Sequence, residues 1–419
     1  MNFQQRRMAV MDSLPPQSLA VFFSGRAPVR SADENYPFSV NRNFAYLTGL
    51  DGEQMALVLI KTETSVQSVL FQPMPDPDLA RWVGGRMEPE HSRAIAKVNR
   101  VLPQEQLESF LYRQMKLFSS SQPVKVGLDL SCEGWYQQVD PAYQFARQLS
   151  ERYPAAQVCD LHRTLAQLRM IKTEEEIERI RQAAEATITA VKVMMRHCAE
   201  GISETELEGV FDFALMKQGI REHAFPTICA SAHHATVLHY SDNNAIIEPG
   251  SLVLCDLGAA VDHYCADITR TFPASGRFTA RQKEIYDIVL QGQRKVIEAV
   301  RPGITLGQLN QVLVNWYQQA LPPTGLLDNG KTVGDYYYHS VSHHLGLDAH
   351  DASVAGTALQ PGMVITVEPG LYVKQEGIGI RIEDDLLVTQ DGSQNLTAGL
   401  MRTTEEIEAF MNKGEQHHG

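Results

Sequence analysis

Four carboxylates in this sequence stand where carboxylates are costly. Asp256 closes the apolar run Ser251-Leu252-Val253-Leu254-Cys255, and Asp267 follows eleven residues later, after Tyr264-Cys265-Ala266. Glu368 follows Met363-Val364-Ile365-Thr366-Val367, and Glu383 follows Ile378-Gly379-Ile380-Arg381-Ile382. An ionised acid in or at the end of a buried strand costs several kcal/mol unless it is paired or bound to a metal. One such acid is accounted for by backbone amides or by an arginine such as Arg270 or Arg381. Four in one region point to a shared partner. Histidines accompany them: His339, His343, His344 and His350 fall within HSVSHHLGLDAH, and His239 lies in Val237-Leu238-His239-Tyr240. Imidazoles clustered near buried acids suggest a metal site with acid–base groups beside it. Four carboxylates and one imidazole suit Mn²⁺, or Co²⁺, Fe²⁺ or Zn²⁺, better than a soft ion that selects thiolates. Five ligands exceed the need of one catalytic ion with open positions, whereas two ions roughly 3.5–4 Å apart would use them all.

The elements that position these residues are legible around them. Thr173 and Glu176 form a capping box, and Ile177, Ile180, Ala184, Thr187, Val191, Met194 and Cys198 recur at helical spacing along one face. Gly201 stops that helix, Ser203-x-x-Glu206 opens the next, and Gly219 ends it. The plan then repeats. Thr279-x-x-Gln282 opens a helix carrying Ile285, Ile288, Val289, Val296 and Val300, Pro302-Gly303 stops it, and Thr305-x-x-Gln308 opens another. Pro249-Gly250-SLVLC-Asp256-Leu257-Gly258 parallels Pro361-Gly362-MVITV-Glu368-Pro369-Gly370: in both, the acid lies seven residues after the proline and a glycine follows two later. This internal duplication, with a period of about 105 residues, is too long for a solenoid. Two helix–helix–strand halves would build one pseudo-symmetric α+β domain with its site between them.

The region before it reads differently. Ala56–Ile60 and Ser68–Phe71 are buried strands, KTETS is a turn, and helical stretches fall around 89–118 and 142–152. The expected organisation is an N-terminal α/β domain over 1–165 and the duplicated domain over 166–419. A chain of 419 residues has room for both. Composition excludes other classes. With 37 basic against 50 acidic residues and a net charge of −13, nucleic acid and anionic membrane are not expected partners. The longest apolar runs, such as Leu19-Ala20-Val21-Phe22-Phe23, fall far short of the ~20 residues of a membrane span. MNFQQRRMAVMDSLPPQ has no apolar h-region, so no signal peptide is expected. The six cysteines (132, 159, 198, 229, 255, 265) are widely spaced with no C-x-x-C pair, which fits a reducing cytoplasm. Gly377-x-Gly379 leads into a strand and gives no phosphate loop, and no G-x-S-x-G elbow is present.

The motifs DLGAAVDHYCADITRTF, HSVSHHLGLDAHD, TVEPGLY and GIGIRIEDD, with RSADENYPFSVNRNFAYLTGL near the N-terminus, resemble those of the dinuclear "pita-bread" metallopeptidases, aminopeptidase P above all and the Xaa-Pro dipeptidases (prolidases) next. The resemblance spans nearly the whole chain. It implies a pita-bread catalytic domain in which Asp256, Asp267, His343, Glu368 and Glu383 are the metal ligands. Asp267 and Glu383 would bridge the ions, and Glu368 would also shuttle a proton. His239, His339 and His350 match catalytic histidines, of which His239 and His350, with Arg381, would also position substrate. Two divalent ions, most simply Mn²⁺, would share a hydroxide that attacks the bond before a proline at position two of a small peptide. Relatives of this kind are often dimers or tetramers, and Trp82 in ARWVGGR matches an N-domain Trp that can line a neighbouring subunit's pocket; a core Trp fits its context equally. The sequence departs from the family pattern at Ala232-His233-His234, at Ser340, and in the short stretch between Tyr372 and Arg381. Two alternatives stand beside the aminopeptidase: a prolidase using the same site, and a non-catalytic binding module of the same fold.

Overall fold

The computed structural model describes residues 2–119, 123–131 and 140–412. By its contacts the chain divides between Leu168 and Arg169 into two compact units. The division falls inside the helix His162–Met170.

The first unit is built on a six-stranded mixed sheet. Its strand order is Arg100–Pro103, Val66–Gln72, Ala56–Lys61, Ser18–Phe23, Lys125–Leu128 and Gln157–Asp160. The two central strands are antiparallel, with Val21 opposite Val58, and both are buried almost end to end. Such strands read as continuous apolar runs because the sheet is covered on both faces. Phe110, Leu111 and Met115 of the helix Leu107–Phe118 and Leu149 of the helix Pro141–Arg152 pack in one core with Leu19, Val21, Val58 and Phe71. Trp82 is 86% exposed near the end of the short helix Pro77–Val83. The core alternative for it is therefore excluded: no apolar surface of its own unit covers the indole.

The second unit carries two helix pairs, Glu174–His197 with Glu204–Lys217 and Ala280–Ala299 with Leu306–Ala320. Thr173, Thr279 and Thr305 each form the reciprocal capping box with Glu176, Gln282 and Gln308, and Ser203 caps the Glu206 amide. Each half also has an antiparallel sheet and a hairpin. In the first half, the strand Leu252–Leu257 lies between Ile228–Ser231 and Ile268–Pro273. In the second, Val364–Val367 pairs with Asp384–Val388 on one side, while residues 341–345 run along its other side. There His343 accepts from the Thr366 amide at 3.0 Å, Val341 accepts from the Glu368 amide at 2.9 Å, and Leu345 donates to Val364 at 3.0 Å. The hairpin Ala260–Val261 with Tyr264–Cys265 has its counterpart in Gly370–Val373 with Ile378–Arg381. The duplicated α+β plan is thus present in both halves, with residues 341–345 standing beside Val364–Val367 where the first half has the strand Ile228–Ser231, and with Ser393–Asn395 added at the outer edge of the second sheet.

Among the described residues the five cysteines are free, and Cys132 lies outside them. No helix of the described residues is long and apolar enough to cross a membrane.

Candidate metal centre

Equivalent points of the two halves deliver the acids. Asp256 is the fifth residue of the strand Leu252–Leu257, and Glu368 directly follows Val364–Val367. Asp267 stands between the first hairpin and the strand Ile268–Pro273, and Glu383 between the second hairpin and Asp384–Val388. The structure therefore pairs Asp267 with Glu383 as well as Asp256 with Glu368. The halves are stitched together at this point: the Glu383 amide donates to the Thr269 carbonyl at 3.0 Å, and the Asp267 amide donates to Asp385 Oδ2 at 3.2 Å.

Asp267, His343 and Glu383 each offer a donor atom, and the three atoms lie within 4.8 Å of one another. His343 Nε2 stands 3.6 Å from Asp267 Oδ2 and 3.4 Å from Glu368 Oε1. Its Nδ1 donates to the His344 carbonyl at 3.1 Å, which fixes the tautomer and leaves the Nε2 lone pair facing the acids. Asp256 presents Oδ1 without a partner while Oδ2 accepts from Arg381 at 2.5 Å. All five predicted ligands thus converge, three directly and Asp256 and Glu368 at the margin.

The electrostatics are those of an acid cluster that Arg381 compensates only in part. Burial, then the charge of Glu383, then that of Asp256, hold Asp267 well above the usual carboxylate range. Glu383 is raised likewise, by burial first and then by Glu368 and Asp256. Burial pushes Glu368 up to about 8 although Arg381 opposes it. Like charges this close cannot all ionise without a cation among them.

The histidines divide into two kinds. His339 is enclosed, and burial lowers it to about 4. Its Nδ1 donates to the Ser340 carbonyl at 2.8 Å and its Nε2 accepts from the Tyr372 hydroxyl at 2.9 Å, while Nδ1 stays 3.8 Å from Glu368 Oε2. His239 and His350 are exposed. His350 lies against His343 with ring centroids 4.1 Å apart, and the charge of His239 is felt at His339.

Arg381 stands where the resemblance implied an arginine that supports the site. It is buried, and its three nitrogens donate to Thr269 Oγ1 at 3.1 Å, the Tyr372 hydroxyl at 3.0 Å and Asp256 Oδ2. It orients ligands from behind and has no free face for substrate, because a guanidinium so buried must spend its donors on the protein. Three residues escaped the sequence reading. Thr269 donates to Glu383 Oε2 at 2.6 Å, Tyr372 links Arg381 to His339, and Thr366 donates to Glu368 Oε1 at 3.4 Å. Their signal was present only as hydroxyl residues within two to four positions of a candidate acid.

Residues 178–390 match the family model for metallopeptidase family M24, and residues 3–122 match the N-terminal domain of aminopeptidase P. The chain belongs to metallopeptidase family M24. It is 35% identical to the Xaa-Pro aminopeptidase of Escherichia coli K12, the alignment covering 98% of this chain and 97% of that one. Its fold is similar to a Bacillus anthracis structure described as aminopeptidase P, at TM-score 0.94 and 41% identity over 98% of each chain. It is also similar to zinc-substituted E. coli aminopeptidase P in complex with product, at TM-score 0.88 and 34% identity over 98% of this chain and 97% of that one. As an M24 member with the aminopeptidase P N-terminal domain, the protein is a metal-dependent peptidase of pita-bread fold. Its residues fit the divalent ions the family uses. The partnerless Asp256 Oδ1, the inward His343 Nε2 and the mutually repelling Asp267 and Glu383 form an oxygen-rich donor set that a cation would satisfy.

Proposed function

We propose that this M24 enzyme releases the N-terminal residue from small peptides with proline at position two, and that Asp256, Asp267, His343, Glu368 and Glu383 hold two divalent ions. The equivalent positions of Asp267 and Glu383 in the two halves support reading both as ligands that the ions would share. Mn²⁺ is the first choice for an oxygen-rich set. When bound, the ions supply a water of lowered pKa and a Lewis-acid contact for the scissile carbonyl. Glu368, partly open beside His343, would take up a proton at its carboxylate and hand it to the leaving proline nitrogen. His339, kept neutral by burial and held by Tyr372 and Ser340, presents a fixed imidazole beside Glu368. His239 and His350, both exposed, would position the substrate and stabilise the charge that develops on its carbonyl oxygen. Arg381 holds Asp256 and Tyr372 in place. The exposed Trp82 supports a homo-oligomer, dimer or tetramer, in which the indole meets a neighbouring subunit. The widely spaced thiols fit a cytoplasmic enzyme.

The observation that carries this reading is the convergence of Asp267, His343 and Glu383 donor atoms within 4.8 Å, at the seam of the duplication. A binding module has no use for such a set, and the related chains above are aminopeptidases and not prolidases. The test is hydrolysis of an Xaa-Pro-Yaa tripeptide and an Xaa-Pro dipeptide in parallel, with Mn²⁺ and after chelation. The expected result is metal-dependent cleavage favouring the tripeptide. Preference for the dipeptide would make the enzyme a prolidase, and no cleavage of either by the Mn²⁺-loaded protein would overturn the reading.

Chelation also has an expected effect on stability. Asp267, Glu368 and Glu383 sit above the ordinary carboxyl range in the metal-free fold. A raised carboxyl pKa means that the folded state holds protons the unfolded state has lost, so stability falls as pH rises from the ordinary range toward the raised one. The gain in Tm on adding Mn²⁺ to the stripped enzyme should therefore be larger at about pH 8 than at about pH 5. Differential scanning fluorimetry at the two pH values reads it directly.

A further inference from the structure

One carboxylate buried outside the metal cluster is spent entirely on a single loop. Glu204 opens the helix Glu204–Lys217 and is 0% exposed. Its Oε1 accepts from the Ser231 amide and the Ser231 hydroxyl, both at 2.7 Å, and from His234 Nδ1 at 3.3 Å. Its Oε2 accepts from the Tyr240 hydroxyl at 2.8 Å and the Ala245 amide at 3.0 Å. These donors mark the start, middle and end of the segment 231–245. The only regular structure between its ends is the 3-10 turn Ala232–Thr236, so the path of the segment depends on its anchors. His239 lies within it, next to the anchored Tyr240.

We propose that Glu204 is a positioning residue for the reaction: it gathers the 231–245 loop around one buried carboxylate and so fixes the place of the His239 imidazole. The proposal rests on the role given above to His239. Two further observations connect the hub to the site. Tyr240 packs in one apolar cluster with Tyr372, the residue bonded to His339, and it is stacked on His234 at 4.4 Å between ring centroids. On its far side the loop abuts the second hairpin, where a side chain at Gly379 would collide with the Ala235 carbonyl, and the Tyr338 hydroxyl, next to His339, donates to the Thr236 carbonyl at 2.9 Å. The loop is thus gripped between Glu204 and the hairpin that carries Arg381. Burial alone would raise Glu204, yet the Ser231, Ala245 and Tyr240 donors outweigh it and hold the group below its ordinary value as a carboxylate. Burial and the bond to Glu204 push the Tyr240 hydroxyl up to about 12, so it remains a donor.

Every partner of Glu204 donates, so an amide in its place sets N–H against N–H or O–H without changing the volume. The test is a double-mutant cycle between Glu204→Gln and His239→Ala in the Mn²⁺-loaded full chain, read as kcat/KM on an Xaa-Pro-Yaa tripeptide, with metal content measured alongside. The expected result is a loss of about 10- to 100-fold for Glu204→Gln at unchanged metal content, the range for misplacing a group through its supporting partner. In the His239→Ala background the same substitution should cost almost nothing, because the group it positions is already gone. An undiminished cost in that background would overturn the proposal and leave the function standing. If His239→Ala alone changed nothing while the peptide was cleaved, the assigned role of His239 would fail and the proposal with it. Should Glu204→Gln not fold, Tyr240→Phe removes one anchor only; a smaller loss, again absent in the His239→Ala background, is expected, and an additive loss overturns the proposal.

Discussion

Glu383→Gln is expected to silence peptide cleavage while making the metal-free protein harder to melt. The two effects have one origin. Glu383 is buried at the seam, takes the Thr269 hydroxyl, and shares the space of Asp267 and His343 Nε2. The amide keeps the volume and can still accept from Thr269, but it removes a carboxyl group that burial and the neighbouring acids force to take up a proton when no metal is bound. In the stripped protein that is relief, so Tm under chelator should rise above that of the parent. In the loaded protein it is loss of a proposed bridging ligand. Replacing a partner that merely supports a ligand costs up to about 100-fold, so losing the ligand itself should exceed that in kcat/KM and lower the bound metal per chain. Activity, metal analysis and melting with and without chelator check the three parts. A variant that keeps full activity and two ions would remove Glu383 from the site.

The largest expected effect on stability lies elsewhere, at Asp351. This carboxylate, immediately after His350, is buried with Arg169 and Lys172, the latter at 3.0 Å. Gly346 leaves room for it, since a side chain there would meet the carboxyl group. Both cations come from the stretch before the helix Glu174–His197, so the pair ties the His350 loop to the start of the catalytic unit. Removing the carboxylate takes its ion-pair partner from the buried Lys172 and leaves Arg169 paired with Asp348 at 2.7 Å. Asp351→Ala should therefore cost about 3–5 kcal/mol, a fall in Tm of roughly 10 °C for a unit of this size. The pH dependence has a definite sign. Burial acts against the ionised form, but Arg169 and Lys172 overcome it and lower Asp351 to about 2. A depressed carboxyl pKa contributes stability above its ordinary value, and that contribution is lost as pH falls through about 2. Chemical denaturation of parent and variant at neutral and acid pH should show the difference between them shrinking toward low pH.

Asp351 also shows where the sequence stopped being readable. Periodicity and caps are local, so Thr173, Thr279 and Thr305 disclosed their helices, and the apolar runs before Asp256 and Glu368 disclosed their strands. The duplication was visible wherever both halves kept the same spacing. Asp267 and Glu383 are equivalent too, but they follow Asp256 and Glu368 by eleven and fifteen residues. The extra length lies in the second hairpin, whose strands Gly370–Val373 and Ile378–Arg381 are four residues each against two in the first, and it hid the correspondence. Partners such as Thr269 for Glu383, Tyr372 for His339, or Lys172 for Asp351 are distant in the chain, and no pattern of spacing announces a contact made only by packing two halves together. For Arg381 the supporting place was legible and its partners were not. Its position two residues before Glu383 was plain, but its burial depended on Asp256, Thr269 and Tyr372 closing around it.

The division of the proposed ligands between the halves, Asp256 and Asp267 from one and His343, Glu368 and Glu383 from the other, has a consequence for the gene. A transcript cut at the junction near residue 275 would encode two segments of which neither holds a complete coordination shell. Selection for catalysis would therefore act on both halves together, and a frameshift anywhere between the junction and Glu383 would remove at least one proposed ligand even where the upstream half is translated intact.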